Sequence, residues 1–94
     1  MRDDEFEWDD AKAAENFAKH RVRFDTARKA IHDPHAVEAI DDRDNYEEDR
    51  FIVIGFAEGA VLHVVYTQRA GRTRLISARR ATRRESDDYF QQGK

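Results

Sequence analysis

The chain has 94 residues, enough for a single domain (residues 1–94) with one hydrophobic core. It contains no cysteine, which excludes disulfides and thiolate metal sites, and no apolar run approaches the ~18 residues of a membrane span, so we expect a soluble, cytoplasmic protein. The net charge of −3 hides a division: residues 1–48 carry 15 Asp and Glu against 8 Lys and Arg, whereas residues 49–94 carry 5 against 9.

A short strand and a helix are predicted first. Phe6-Glu7-Trp8 alternates as a strand does, and Asp9 or Asp10 can cap a helix that we expect to end near His20. Small apolar residues at helical spacing predict the buried stripe of this helix, which consists of Ala11, Ala14, Phe17 and Ala18. The remaining faces are then expected to carry Lys12, Asn16 and Lys19.

A second helix is predicted after Asp25, its expected N-cap, and before Asp33-Pro34, because proline disfavours helix in the preceding residue. Its apolar residues repeat the helical spacing: Phe24, Ala27, Ala30 and Ile31. His32 and His35 flank the proline and would not share a helical face, so we predict no metal site there.

The rest of the chain favours strands and a last helix. Residues 36–40 alternate, residues 41–49 form an acidic run expected to be an exposed loop, and residues 50–57, 60–68 and 73–79 are β-branched runs separated by turns at Gly59 and Gly71. Thr82 and Glu85 have the spacing of a capping box for a helix to about Phe90. We therefore predict an α+β fold, β-α-α-β-β-β-α, with an antiparallel sheet and two helices packed on one face.

The fourth strand indicates which face of the sheet is covered by the helices and which is more open. If Leu62, Val64 and Tyr66 pack under the helices, His63 and Thr67 look out from the more open face. His63 is then either a functional side chain or a half-buried histidine bonded to a carbonyl. His20 has two interpretations as well, a catalytic acid or base and a partner for the dipole at the end of the first helix.

Arginines dominate the segment from Gly59 to Arg84. This segment has no Asp, Glu or Lys, and it contains Arg69, Arg72, Arg74, Arg79, Arg80, Arg83 and Arg84. A guanidinium offers a planar fork of donors that matches two phosphate oxygens, and a helix N-terminus attracts the same anion. The pattern indicates phosphate or nucleic-acid contact, although chance clustering on a highly charged surface is an alternative, and Arg83 and Arg84 could simply be exposed.

Several short strings occur in an order that carries a resemblance. They are Phe6-Glu7-Trp8-Asp9 with Lys12 and Asn16, Lys19-His20 with Val22 and Phe24, Asp33-Pro34, Arg50-Phe51 with Gly55, Tyr66-Thr67, and above all the run from Ile76 to Glu85. Together they resemble the BrnT toxins of bacterial type II toxin–antitoxin systems, small ribonucleases whose fold is similar to that of RelE. One position departs from the family, because Arg21 stands where glycine is usual at the end of the first helix.

The resemblance implies RNA cleavage without a metal or other cofactor, and inhibition of translation and growth. It also implies neutralisation by a cognate antitoxin with a ribbon-helix-helix DNA-binding part, and binding of operator DNA by the antitoxin complex. Two alternatives remain: a non-catalytic RNA- or protein-binding regulatory module, and a degenerate toxin that retains only antitoxin binding.

Metal-free RNA cleavage needs a base, an acid and cations around the phosphate. We hypothesise that Arg79 and Arg80, with Arg74 beside them, hold the scissile phosphate. The proton-transfer candidates are His20 and Glu85, followed by His63, Tyr66 and Tyr89; Glu85 could instead serve only as the capping-box acceptor. Further RNA contacts are expected from Lys19, Arg50, Arg83 and Arg84.

Overall fold

The computed structural model describes residues 1–42 and 48–92, and in this part of the chain it contains three helices and five strands. They are β1 (Phe6–Glu7), α1 (Asp10–His20), α2 (Phe24–Ile31), β2 (Val37–Asp41), β3 (Arg50–Ala57), β4 (Ala60–Arg69), β5 (Arg72–Arg80) and α3 (Arg83–Gln91). The α+β class and the element positions agree with the prediction. The predicted order has one strand too few, because all four segments proposed as strands between α2 and α3 form strands.

The sheet has the order β1-β5-β4-β3-β2. Strands β2 to β5 form an antiparallel meander, but β1 pairs with β5 in parallel, with Phe6 opposite Thr73 and Glu7 opposite Arg74. The prediction of a purely antiparallel sheet is therefore wrong at this pair. Two helices and three strands separate β1 from β5 in the chain. The two strands are therefore joined by a long crossover and not by a hairpin.

The hydrophobic core lies between the sheet and the helices α1 and α2. Leu62, Val64 and Tyr66 are buried there, as predicted, together with Phe24 and Ala27 of α2. The expected N-cap of α2 is wrong, because the helix begins one residue before Asp25 and is capped by Arg23 in an extended conformation. Asp25 lies in the first turn instead, where a carboxylate still favours the helix dipole.

The opposite face of the sheet is not open at β4. His63 and Thr67 are 6% and 2% exposed, because α3 lies beside His63 and the Thr67 hydroxyl donates a hydrogen bond to the carbonyl of Asp49 (2.6 Å). Asp41 is also buried, at 3% exposed, as the last residue of β2 opposite Arg50, so the predicted exposed loop does not begin there. Residues 43–47 of that loop lie outside the described residues.

Helix α2 approaches β3 so closely that one strand position has no room for a side chain. A Cβ atom at Gly55 would lie 2.2 Å from the carbonyl oxygen of Ala30, and that oxygen belongs to the helix backbone. The side chain of Ala30 is itself fully buried. The distance between α2 and the sheet therefore depends on glycine at this position.

We expect Gly55→Ala to lower the free energy of unfolding by about 1–3 kcal/mol, because the added methyl must push α2 away from the sheet. Chemical denaturation followed by fluorescence of the buried Trp8 measures this loss. Ala39→Val is the matched control, since it adds methyl groups at an exposed strand position and should change stability by less than about 0.5 kcal/mol. Equal stability of Gly55→Ala and the wild type would contradict the close approach.

Candidate functional site

Helix α1 is rotated relative to the predicted orientation. Ala11, Ala14 and Ala18 are exposed and Phe17 is only partly buried, whereas Asn16, expected on another face, is 7% exposed. The prediction of the buried stripe is therefore wrong. Small alanine side chains provide little area to bury, so the polar contacts of Asn16 decide which face of α1 meets the sheet.

Asn16 closes the free edge of β5. Its side-chain amide donates to the carbonyl of Ala78 (2.9 Å) and accepts from the N–H of Ala78 (3.0 Å), which is how a neighbouring strand would pair. The same amide group donates to the carbonyl of Val22 (3.0 Å), just beyond the end of α1. One buried side chain thus holds the helix, the turn that follows it and the edge strand together.

The turn after α1 keeps the left-handed geometry despite the missing glycine. Arg21 has φ = 59°, and its N–H donates to the carbonyl of Phe17 (2.8 Å). The guanidinium groups of Arg21 and Arg23 lie over the Phe17 ring, 5.4 and 4.4 Å from its centre. Cation–π contacts of this kind contribute about 0.5–1 kcal/mol at exposed sites, which offsets part of the strain of a non-glycine residue.

Two adjoining pockets follow the junction of α1 and β5, and they share Lys12 and Ile76. The first, about 180 Å³, is also lined by Lys19, His20 and Ser77; the second, about 330 Å³, is also lined by Arg50 and Arg74. We call the two together the α1–β5 cleft. It brings four of the predicted site residues into one groove: Lys19, His20, Arg50 and Arg74.

Carboxylates lie among the cations of the α1–β5 cleft, because Asp9, Glu15 and Glu48 also line it. Arg74 lies 3.5 Å from the carboxylate of Glu7, its neighbour on β1, and Arg50 lies 4.0 Å from that of Glu48. Both arginine side chains remain 30% exposed. Each side chain is therefore partly buried at the side of the groove and partly exposed to solvent.

The structure does not bring Arg79 and Arg80 together. Successive strand residues point to opposite faces, and Arg79 lies opposite His63 whereas Arg80 lies opposite Leu62. Arg80 lines a separate pocket of about 310 Å³ with Arg21 and Arg23, on the side of α1 and α2. The joint phosphate site predicted for Arg74, Arg79 and Arg80 is not assembled in this arrangement.

Arg79 and Glu85 form a two-pronged ion pair. The guanidinium donates to both carboxylate oxygens, at 2.8 and 3.1 Å. Glu85 also accepts from the N–H of Thr82 (2.8 Å) and donates its own N–H to the Thr82 hydroxyl (3.2 Å), which confirms the predicted capping box. These contacts, led by Arg79, lower the pKa of Glu85 to about 2, so it is a carboxylate at neutral pH and a weak proton acceptor.

The other proton-transfer candidates lie elsewhere. His63 is buried with Nε2 3.8 Å from Glu85, and Tyr66 is buried in the core against Phe51. Tyr89 donates to the carboxylate of Asp33, and its burial together with this bond raises its pKa to about 12. Two further predicted contacts, Arg83 and Arg84, are exposed in the first turn of α3.

Lys12 is a cleft residue that the sequence-based prediction missed. It borders both pockets of the α1–β5 cleft. A signal existed, because Lys12, Asn16, Lys19 and His20 are spaced i, i+4, i+7 and i+8 and hence share one side of a helix. This polar side of α1 differs from the apolar side that the alanine spacing predicts.

A protein-family model matches most of the chain. The family model described as "Ribonuclease toxin, BrnT, of type II toxin-antitoxin system" matches residues 8–85 of the 94-residue chain. No curated protein matches the chain. Among the described residues, no three or more His, Cys, Asp or Glu side chains are grouped so that they could hold a metal ion, and no helix is long and apolar enough to cross a membrane.

We expect Asn16→Ala to reduce the free energy of unfolding by about 2–4 kcal/mol, because it removes the partners of both Ala78 backbone groups and of the Val22 carbonyl. Urea denaturation measures the loss. Glu15→Ala changes the exposed neighbour and should stay within about 0.5 kcal/mol of the wild type. If both variants were equally stable, the amide of Asn16 would not hold α1 to β5.

Glu85→Gln tests the ion pair through pH. Because the folded-state pKa of Glu85 is lowered from 4.5 to about 2, its contribution to stability is full above pH 4.5 and is lost as the pH falls toward 2. The variant should be less stable than the wild type by about 1–2 kcal/mol at pH 7, and this difference should shrink between pH 4.5 and 2. Asp87→Asn, at an exposed position on the same helix, should keep the wild-type pH profile. Thermal unfolding across this pH range gives the comparison.

Proposed function

Because this chain belongs to the BrnT family of ribonuclease toxins from type II toxin–antitoxin systems, we propose that it cleaves RNA at the α1–β5 cleft without a metal ion. The observation that carries the proposal is the grouping of Lys12, Lys19, Arg50 and Arg74 around a groove that also contains His20. Cations on both sides of a groove suit a phosphodiester, and a histidine within it can accept or donate a proton.

The proposed reaction is attack of the RNA 2′-oxygen on the adjacent phosphorus. His20 accepts the proton of the 2′-hydroxyl, the P–O5′ bond breaks, and the 5′-oxygen leaves as a hydroxyl after taking a proton from water. The products are a 2′,3′-cyclic phosphate and a 5′-hydroxyl end. Arg50 and Arg74 hold the non-bridging oxygens, whose negative charge increases as the 2′-oxygen bonds to phosphorus.

Arg79 and Glu85 have a positioning role in this proposal rather than a chemical one. Their ion pair joins the end of β5 to the first turn of α3, and Glu85 stays ionised. Arg80, Arg83 and Arg84 then serve as outer contacts for the RNA backbone, since none of them borders the α1–β5 cleft.

Membership of the family supports the wider role. We propose that the fold is RelE-like, that cleavage inhibits translation and growth in the cytoplasm, and that a cognate antitoxin neutralises the protein. The antitoxin is expected to carry a ribbon-helix-helix DNA-binding part, through which the complex would bind operator DNA. The five-stranded, mostly antiparallel sheet with α1 and α2 on one face is compatible with this assignment.

We expect His20→Ala and Arg74→Ala each to slow RNA cleavage by on the order of 10²- to 10³-fold, since each removes a group aimed at the reacting phosphate. The assay uses purified protein, a labelled RNA oligonucleotide and excess chelator, and it identifies the 2′,3′-cyclic phosphate product. Chelator should leave the wild-type rate unchanged.

Arg80→Ala is the matched control, because it removes a guanidinium from the same strand on the other face. Its rate should fall by less than ~10-fold, as befits an outer backbone contact. Loss of cleavage in Arg80→Ala with full activity in Arg74→Ala would refute the assignment of the cleft. RNA binding by the wild type without any cleavage would instead support a non-catalytic binding module.

A further inference from the structure

Strand β2 forms one edge of the sheet, and its outer side has no strand partner among the described residues. All five of its residues pair in continuous register with β3, from Val37 opposite Ile54 to Asp41 opposite Arg50. Natural sheets protect such edges with lysine, proline or a bulge, because exposed backbone groups recruit other strands. Between Val37 and Asp41 there is no lysine, proline or bulge, and the charged residues of this edge are the exposed Glu38 and the buried Asp41.

Large apolar side chains are exposed on both faces of β2. Val37 is 41% exposed and Ile40 is 69% exposed. Since residues alternate along a strand, Val37 lies on the face that carries α3 and Ile40 lies on the face that carries α2. A partner lying flat on either face would cover one of these side chains, whereas a strand running along the edge covers both.

A groove of about 350 Å³ continues from Val37 on the α3 face. Its apolar walls are Ile52 and Ile54 of β3 together with Tyr89 of α3, and Asp88 lies at its rim. Alternate side chains of a strand added at β2 would point into this groove. Backbone pairing gives such strand addition its affinity, and side-chain pockets give it specificity.

The charge around this edge is negative. Residues 33–42 contain four acidic residues and neither lysine nor arginine. Residues 86–91 of α3 contain two acidic residues, Asp87 and Asp88, and also lack lysine and arginine. Glu38 and Asp42 are exposed beside the apolar residues. Lysine or arginine side chains on the partner would complement these carboxylates.

We propose that a segment of the cognate antitoxin adds to β2 as an extra strand, with apolar residues facing Val37 and Ile40 and basic residues facing Glu38 and Asp42. The inference rests on the proposed function only in taking an antitoxin as the partner. The docking surface is the β2 edge, and it shares no residue with the α1–β5 cleft. Neutralisation would therefore not require the antitoxin segment at β2 to occupy the RNA groove itself.

The test uses the full-length protein and its purified cognate antitoxin, with affinity measured directly by titration calorimetry. Val37→Lys and Ile40→Lys should each raise the dissociation constant at least tenfold, because they replace buried apolar contacts and repel a basic segment. Phe90→Lys is the control, because Phe90 is an exposed apolar residue that lies on α3 and not on β2. Its dissociation constant should stay within threefold of the wild-type value. Circular dichroism of each isolated variant shows that the fold is intact.

Hydrogen exchange supplies a readout specific to strand pairing. Backbone amides of residues 37–41 should become more protected in the complex. Unchanged affinity of both lysine variants, or protection confined to the α1–β5 cleft, would overturn the proposal. Self-association of the isolated protein that Ile40→Lys abolishes, with antitoxin affinity unchanged, would overturn it in favour of a second copy at this edge. Because affinity is measured without RNA, these outcomes stay decisive even if the protein cleaves no RNA.

Discussion

The side-chain amide of Asn16 is the interaction on which the candidate site depends. It pairs with both backbone groups of Ala78 as a strand would, where β1 is too short to continue the ladder. Pairing in this way fixes the rotation of α1 about its axis. The rotation in turn places Lys12, Lys19 and His20 beside β5 and leaves the alanine stripe in solvent.

A second constraint comes from strand alternation at the end of β5. Arg79 and Arg80 are adjacent in the chain, yet their side chains lie on opposite faces of β5. Arg79 forms an ion pair with Glu85 at the start of α3, whereas Arg80 borders a pocket with Arg21 and Arg23. Positive charge is thus distributed over both faces of one strand. An arginine-rich run that looks like one phosphate site in the sequence divides into a structural pair and an outer surface.

Local patterns predicted most of the fold. The hairpin over Glu58 and Gly59, the buried positions of α2 and the capping box at Thr82 depend on residues within a few positions of one another, and all are confirmed. The failures involve partners far apart in the chain. Asn16 is buried because an unpaired strand edge lies beside it, and β1 is parallel because of a long crossover; neither fact is visible in a short window of sequence.

The Asn16–Ala78 contact joins residues 62 positions apart, and this separation has a consequence for the order of events during synthesis. The ribosome synthesises α1 long before β5. Asn16 of α1 is therefore made before the strand edge that it pairs with. The α1–β5 cleft cannot form until residue 78 has left the ribosomal exit tunnel. Contacts of high sequence separation also slow folding, because the entropy of closing the loop is lost before the contact forms. The cleft proposed to bind RNA is therefore incomplete until β5 has been synthesised.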